Sequence, residues 1–446
     1  MKSSLLMETN AKLLSNESNL SKNEAAWIRL FDKYDIFSKV EKNGVFEITA
    51  SQIKEFREPR LMTKFDTEES LPKCFGKGNG KKLSILPNSR GSYVMGYFDS
   101  YHAIPEMERF IKHIDFPEHL ETISKENINS EANVINVLGV TSVLDDFLGE
   151  KQMVQTISGR MKSGEFEFVI QNTKNQGQAL ISVRNAQIEI DAGFENHNCV
   201  SIIEAKNVVH KDFIVRQLYY PFRLWKTKLV KEIRPVFLVY SNNIFRLMEF
   251  EFTDVENYSS IKFVRQKNYS FEDVDITMDD LTEVYNSTRS KEENDGIPFI
   301  QADSFPTVIS LLELLKEEDK TISEIAEAIG FDKRQGDYYF NAARYLELTE
   351  KYKAENGIVR VRLSALGEAI MKMPYKKRQL KYVEQMFTHE IFRYIFMFFR
   401  QQGEAPDKKL IASKIRELNL CGESLVERRA SSVSGWIKWL LATINN

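Results

Sequence analysis

The chain has 446 residues, with 61 Lys and Arg against 64 Asp and Glu, a net charge of −3, 42% hydrophobic and 28% charged residues. That balance excludes a fibrous or wholly disordered protein, and roughly 100–200 residues per domain implies two to four domains. Cys74, Cys199 and Cys421 form no CxxC pair, which excludes a disulfide framework and a cysteine zinc site and makes a reducing cytoplasm the expected compartment. There is no run of about 18 apolar residues and no signal-peptide core, so no membrane association is expected.

Residues 1–24 are rich in Ser, Asn, Lys and Glu and read as a disordered leader. An N-terminal α+β domain is expected over 25–130. It has a helix at 26–34, a strand at 45–48, a helix at 50–56 behind Thr49 or Ser51 as cap, and strands within 83–98 around Pro-Asn-Ser-Arg-Gly. Its loops carry Arg57, Arg60, Lys64 and Arg90, candidates for DNA recognition.

A mixed α/β domain is expected over 131–290. A helix at 142–148 precedes strand-like runs at 166–170, 180–183, 187–191 and 200–206. An amphipathic stretch at 213–229 follows, then strands at 236–240 and 244–252 around the turn Ser241-Asn242-Asn243. The polar stretch 291–297 is a linker. Two mainly helical units complete the chain, over 298–372 and 376–446. From Lys376 onward there are 13 Lys and Arg against 7 Asp and Glu, a basic excess that suits a nucleic-acid-facing part.

The chemistry is concentrated in 187–207, QIEIDAGFENHNCVSIIEAKN. By strand alternation Gln187, Glu189 and Asp191 share one face of the first strand, and Ile202, Glu204 and Lys206 share one face of the second. Two carboxylates can hold Mg²⁺ through hard oxygen ligands while the ion keeps several waters. A lysine beside them can orient the attacking water or stabilise charge on a phosphate. The main-chain carbonyl of Ala205 is a further possible ligand. Glu318-Asp319-Lys320 has the same Glu-x-Lys spacing, but at an expected helix end, where residues two apart diverge.

Asp191, twelve intervening residues and then Glu204-Ala205-Lys206, within a helix–strand–hairpin–helix–strand order, resemble the PD-(D/E)XK nuclease superfamily, specifically type II restriction endonucleases. The resemblance covers about 135–255. It implies a mixed-sheet, restriction-endonuclease-like α/β core in which Asp191 and Glu204 bind Mg²⁺, with the Ala205 carbonyl, and Lys206 is the catalytic lysine. Gln217 matches a glutamine that some members place on the next helix, although position 221 is proline where the fuller pattern has tyrosine. The family often adds an acidic ligand from an earlier element; Asp145, Asp146, Glu150, Glu165, Glu167 and Glu189 are the candidates. On the helix after the motif, Lys211, Arg216, Arg223 and Lys226 among aromatic residues suit one edge facing phosphate.

Residues 321–363 read helix, turn at Gly330, helix, hairpin around Glu355-Asn356-Gly357, and resemble the winged-helix DNA-binding family. The second helix presents Lys333, Arg334, Gln335, Tyr338, Asn341 and Arg344 to a major groove. Helices at 408–418 and 424–444 suggest a second helix–turn–helix with Arg428, Arg429 and Ser431 near DNA, and Trp436 and Trp439 in its core. The resemblances together imply sequence-specific, Mg²⁺-dependent cleavage of double-stranded DNA by a homodimer, in a restriction–modification system with a cognate DNA methyltransferase. A transposition, repair or phage-defence nuclease of the same superfamily is the alternative, and a non-catalytic DNA-binding regulator is the alternative of another class.

Overall fold

The computed structural model describes residues 21–77, 81–125, 128, 130–294, 296–330 and 333–444. The expected leader lies outside the described residues up to position 20. Its last residues are helical instead, because α1 (Lys22–Tyr34) starts behind Ser21, whose side chain accepts the Glu24 N–H. After α2 (Ile36–Asn43) come β1 (Val45–Thr49) and α3 (Ala50–Lys54), which opens on a capping box between Thr49 and Gln52. Then β2 (Ser84–Pro87) and β3 (Ser92–Gly96) complete a small antiparallel sheet in the order β1–β3–β2. Its core is aromatic: Trp27 lies 4.9 Å from Phe75 and 6.5 Å from Phe65.

Two short strands, β4 (Tyr101–Ala103) and β5 (Ile111–His113), lead into α4 (Glu131–Val140) and α5 (Val143–Leu148). Strand β6 (Val154–Lys162) is followed by the hairpin β7 (Glu165–Gln171) and β8 (Gln178–Arg184), then β9 (Gln187–Glu195) and β10 (Cys199–Lys206). The expected amphipathic stretch divides into β11 (Asp212–Ile214) and α6 (Arg216–Lys226). Pro221 inside α6 removes one helical donor, the one that would reach the Gln217 carbonyl. Strands β12 (Glu232–Ser241), β13 (Ile244–Phe252) and β14 (Ile261–Ser270) finish the unit.

The central seven-stranded sheet runs β5–β14–β13–β12–β10–β9–β6. Strands β6, β9 and β10 form an antiparallel meander, and β12 returns parallel to β10 after α6. The parallel pair is buried on both faces, and its strands are nearly continuous apolar runs. Helices α4 and α5 cover one face. On the other face α6 and the β7–β8 hairpin build a second core. β5 belongs to this sheet although it lies within 25–130, the span read as N-terminal.

The C-terminal region is mainly helical. After α7 (Met278–Ser287) it contains α8 (Phe305–Glu317), α9 (Ile322–Ile329), α10 (Lys333–Tyr345), the hairpin β15 (Thr349–Lys353) and β16 (Val359–Leu363), then α11 (Ala365–Met371) and α12 (Tyr375–Phe387). Helices α13 (Glu390–Gln402), α14 (Lys408–Glu417) and α15 (Val426–Ala442) close the chain. One apolar core runs from Val208 to Ile444, so the two expected C-terminal units pack as one body. That body grips the central sheet at the β12–β13 turn, where Asn242 and Asn243 have positive φ. Half-buried Glu313 of α8 accepts the Asn242 N–H and the Ser241 hydroxyl there, both at 2.6 Å. Among the described residues no helix is long and apolar enough to cross a membrane.

Candidate functional site

The site begins with an irregularity in β9. Ile188 and Ile190 pack into the core beneath α6, whereas Ala192 and Phe194 pack into the opposite core beneath α4 and α5. The strand therefore changes faces at Asp191, where its register with β6 also shifts. Such breaks re-aim side chains, and Asp191 is half-buried while Gln187 and Glu189, expected on its face, are exposed. Gly193 follows because a Cβ there would sit 2.8 Å from the Ile157 side chain. Pairing of β9 with β10 reaches only Ala192 opposite Ile203. Beyond it the Ala205 N–H donates to Asp191 Oδ2 at 2.8 Å. An extended residue directs its N–H and C=O to the same edge, so the Ala205 carbonyl shares this gap.

Glu204 is only 6% exposed. Its Oε1 accepts from Lys206 Nζ and from Gln217 Nε2, each at 2.5 Å. Gln217 comes from the first turn of α6, which β11 sets against the sheet. The amide oxygen of Gln217 and the side-chain oxygen of Asn207 are buried without a hydrogen-bond partner among the described residues. Burial pushes the Glu204 carboxyl up to about 8; the charge of Lys206 opposes this, and Asp191 and Asp66 add to it. Burial works to lower the Lys206 ammonium, but Glu204, Asp66, Glu131 and Asp191 together hold it above the usual lysine range. His210, lowered to about 4 by burial and by Lys206, is neutral at pH 7.

Four carboxylates thus bear on one ammonium, and two of them, Asp66 and Glu131, were missed in the sequence. Glu131 opens α4, and burial followed by the charge of Asp191 raises its carboxyl, with Lys206 opposing. The local signal was Ser130-Glu131 ahead of the apolar run 134–138. Asp66 arrives from the N-terminal unit, where its carbonyl accepts the Ile214 N–H of β11 at 2.9 Å. No local pattern marks it.

Of the other acidic candidates, none touches Glu204. Glu150 accepts from Asn196 and Asn198 at the far end of β10. Glu167 accepts from Ser182 across the β7–β8 hairpin, and Glu165 from Asn185. Glu189 pairs with Arg160 on the surface. Asp145 caps the main chain at Gln152 and Met153, and Asp146 meets Lys112, Lys267 and Tyr269. Arg223, expected on a phosphate-facing edge, is buried and donates to Glu167 O, Val255 O and the Tyr219 hydroxyl.

Among the described residues no three His, Cys, Asp or Glu side chains converge as a ready metal cage. Mg²⁺ retains several waters and needs only one or two carboxylates. Asp191, Glu204 and the Ala205 carbonyl supply a hard oxygen set beside the unmet amide oxygen of Gln217, and excess negative charge favours a cation. The residues fit such an ion.

On α10, Arg334 is exposed and lies 5.5 Å over the Tyr338 ring. Gln335 donates to Glu69 of the N-terminal unit. Asn341 donates to Asp337 at 3.1 Å, and Arg344 is half-buried. The side chain of Lys333 lies outside the described residues. Gly330, which ends α9, sits against the segment that carries Asp66, since a Cβ on it would be 3.3 Å from Thr67 Oγ1 and 3.8 Å from His210. On α15, Arg428 is exposed, Arg429 is buried, and the Ser431 hydroxyl donates to Glu427 O of its own helix at 3.3 Å.

Comparison with known proteins found no match to a curated protein and none to a solved structure. Three family descriptions do match, each a domain of unknown function: DUF6996 over residues 24–95, DUF6997 over 96–270 and DUF7226 over 307–445.

Proposed function

We propose that this chain is a Mg²⁺-dependent endonuclease with a PD-(D/E)XK core, cutting double-stranded DNA at a specific sequence as type II restriction enzymes do. The observation that carries the reading is the meeting of Asp191, Glu204, Lys206 and Gln217 where β9 parts from β10. The order of elements supports it: helix, three-stranded meander, helix, and a strand parallel to the third. The sequence of helices α8, α9 and α10 and the β15–β16 hairpin supports a winged-helix DNA reader.

In this mechanism Asp191 and Glu204, with the Ala205 carbonyl, would hold Mg²⁺, which when bound would supply Lewis-acid activation of water and charge neutralisation at the phosphate. Lys206 is protonated in the resting site, so it donates hydrogen bonds to the attacking water or a phosphate oxygen rather than removing a proton. Gln217 holds the Glu204 carboxylate in orientation from behind. The products carry 5′-phosphates. Two such sites are needed for both strands, which calls for a homodimer on DNA, and a cognate methyltransferase would protect the host DNA.

The test incubates the full chain with unmethylated phage DNA at millimolar-scale Mg²⁺, beside Lys206→Ala. Discrete fragments from wild type alone are expected. Fragments from both proteins would remove Lys206 from the site. Cutting by neither, on methylated and unmethylated DNA alike, would favour a DNA-binding regulator. A transposition, repair or phage-defence enzyme would share the chemistry and be told apart by its lack of a protecting methyltransferase.

A further inference from the structure

The C-terminal body holds an arginine that makes no ion pair among the described residues. Arg429, in the first turn of α15, is 8% exposed, and its Nε has no hydrogen-bond partner among the described residues. The acids nearest in sequence are engaged elsewhere: Glu423 and Glu427 both pair with Arg416, at 2.8 and 3.2 Å. Burial lowers the guanidinium pKa, and among the described residues the groups that act on its charge are Cys421, Tyr338 and Arg428, none of them a carboxylate.

Packing brings these residues together. The main chain at 301–303 is wedged between α10 and α15. Tyr339 of α10 donates to Asp303 Oδ1 at 3.1 Å, and Ser432 and Trp436 of α15 donate to the carbonyls of Gln301 and Ala302 at 3.1 and 3.0 Å. Gly435 lets α15 approach, since a Cβ there would lie 2.1 Å from the Asp303 carbonyl oxygen. Tyr338, next to Tyr339 on α10, is close enough for its charge to act on Arg429. Arg334 lies over the same Tyr338 ring, and exposed Arg428 adjoins Arg429. Desolvating a guanidinium without a counter-ion is unfavourable, as is an unmet buried donor. A bound anion would relieve both, and the planar fork of arginine matches phosphate oxygens.

We propose that Arg429, with Arg334 and Arg428, forms a subsite for a phosphodiester group of the DNA backbone, built jointly by α10 and α15. This rests on the DNA-binding reading above and changes the part α15 plays in it. The helix is a backbone clamp beside α10, not a second reader of bases, because phosphate contacts position a protein without conveying sequence.

The full chain, without Mg²⁺ so that nothing is cut, is titrated with duplex DNA over a salt series and compared with Arg429→Met. Affinity is expected to fall by about tenfold for specific and unrelated duplexes alike, and the slope of log affinity against log salt to shrink by about one. The stabilisation of the wild type by sodium phosphate over chloride of equal ionic strength should disappear in the variant. Unchanged affinity and slope in Arg429→Met would overturn the proposal. If that variant fails to fold, the surface changes Arg334→Ala and Arg428→Ala must each shrink the slope, and unchanged slopes in both would overturn it equally. If the wild type binds no duplex, the DNA reading has failed. A phosphate stabilisation that needs Arg429 would then keep the anion subsite for another phosphate-bearing ligand, and no such stabilisation would sink it too.

Discussion

Two places in this chain carry a lysine two residues after a glutamate, and both pairs touch. Glu204 and Lys206 lie at the end of a doubly buried strand, with side chains 8% and 15% exposed. Glu318 and Lys320 lie after α8, and the Glu318 side chain is 70% exposed. In the second pair Lys320 is as covered as Lys206, at 15% exposed, but its carboxylate partner is solvated, and such a contact contributes little. The first shares its space with Gln217, Asp191 and the charges of Asp66 and Glu131. The contact is therefore not what distinguishes the motif. Burial among other carboxylates is, because it leaves negative charge that water cannot screen.

The largest expected effect separates the two pairs by activity. Lys206→Ala and Glu204→Gln should each lower DNA cleavage by about a thousandfold, in the range of a lost general acid–base or charge-stabilising group. Lys320→Ala should leave the rate within about twofold, since an ion pair with a solvated carboxylate contributes little. Gel assays under single-turnover conditions read both, and equal losses at the two pairs would erase the contrast. A smaller effect sharpens it. Gln217→Leu keeps the side-chain bulk but frees Glu204 Oε1 of one donor, and should cost roughly ten- to a hundredfold in activity or Mg²⁺ affinity. Mg²⁺ titration of the cleavage rate would show whether the loss is one of ion binding.

Stability should move the other way. The Glu204 carboxyl is raised in the folded protein, so the folded state keeps its proton where the unfolded state has lost it. Its contribution to metal-free stability falls as pH rises from about 4.5, the usual glutamate value, to about 8. Glu204→Gln should flatten that slope and stabilise the metal-free protein by roughly 1–2 kcal/mol at pH 8, as functional sites trade stability for activity. Denaturant melts at pH 5 and pH 8 check this, and a wild type equally stable at both would contradict it. Mg²⁺ should restore wild-type stability at pH 8 and leave Glu204→Gln unmoved. The smallest effect is the control: Glu318→Gln should shift neither melt at either pH, since its carboxylate is solvated.

Much of the fold was legible because it is local. Alternation placed β7, β8, β9 and β10, and Ser241-Asn242-Asn243 marked a hairpin whose two asparagines do take positive φ. The spacing of Glu204 and Lys206 put both on one strand face, and their contact bears this out. Strict alternation was less reliable at Asp191, because β9 crosses between two cores there and no two-residue period describes a strand that changes faces. Arg223 shows the limit for charges. Its surroundings in sequence suggested an exposed basic edge, but carbonyls at Glu167 and Val255 enclose it.

What the sequence determined by itself is the local part of the inventory, most of the strands and helices, the turn residues and the three-residue motif, set by periodicities of a few residues; β6, β14 and α4 were not read from it. The tertiary structure alone decided which charges share a space. Asp66 and Glu131 reach Lys206 from 140 and 75 positions away in the chain. α10 and α15, which carry Tyr338 and Arg429, are likewise brought together by packing around 301–303. Electrostatic energy depends on distance and on burial, and neither is a property of local sequence.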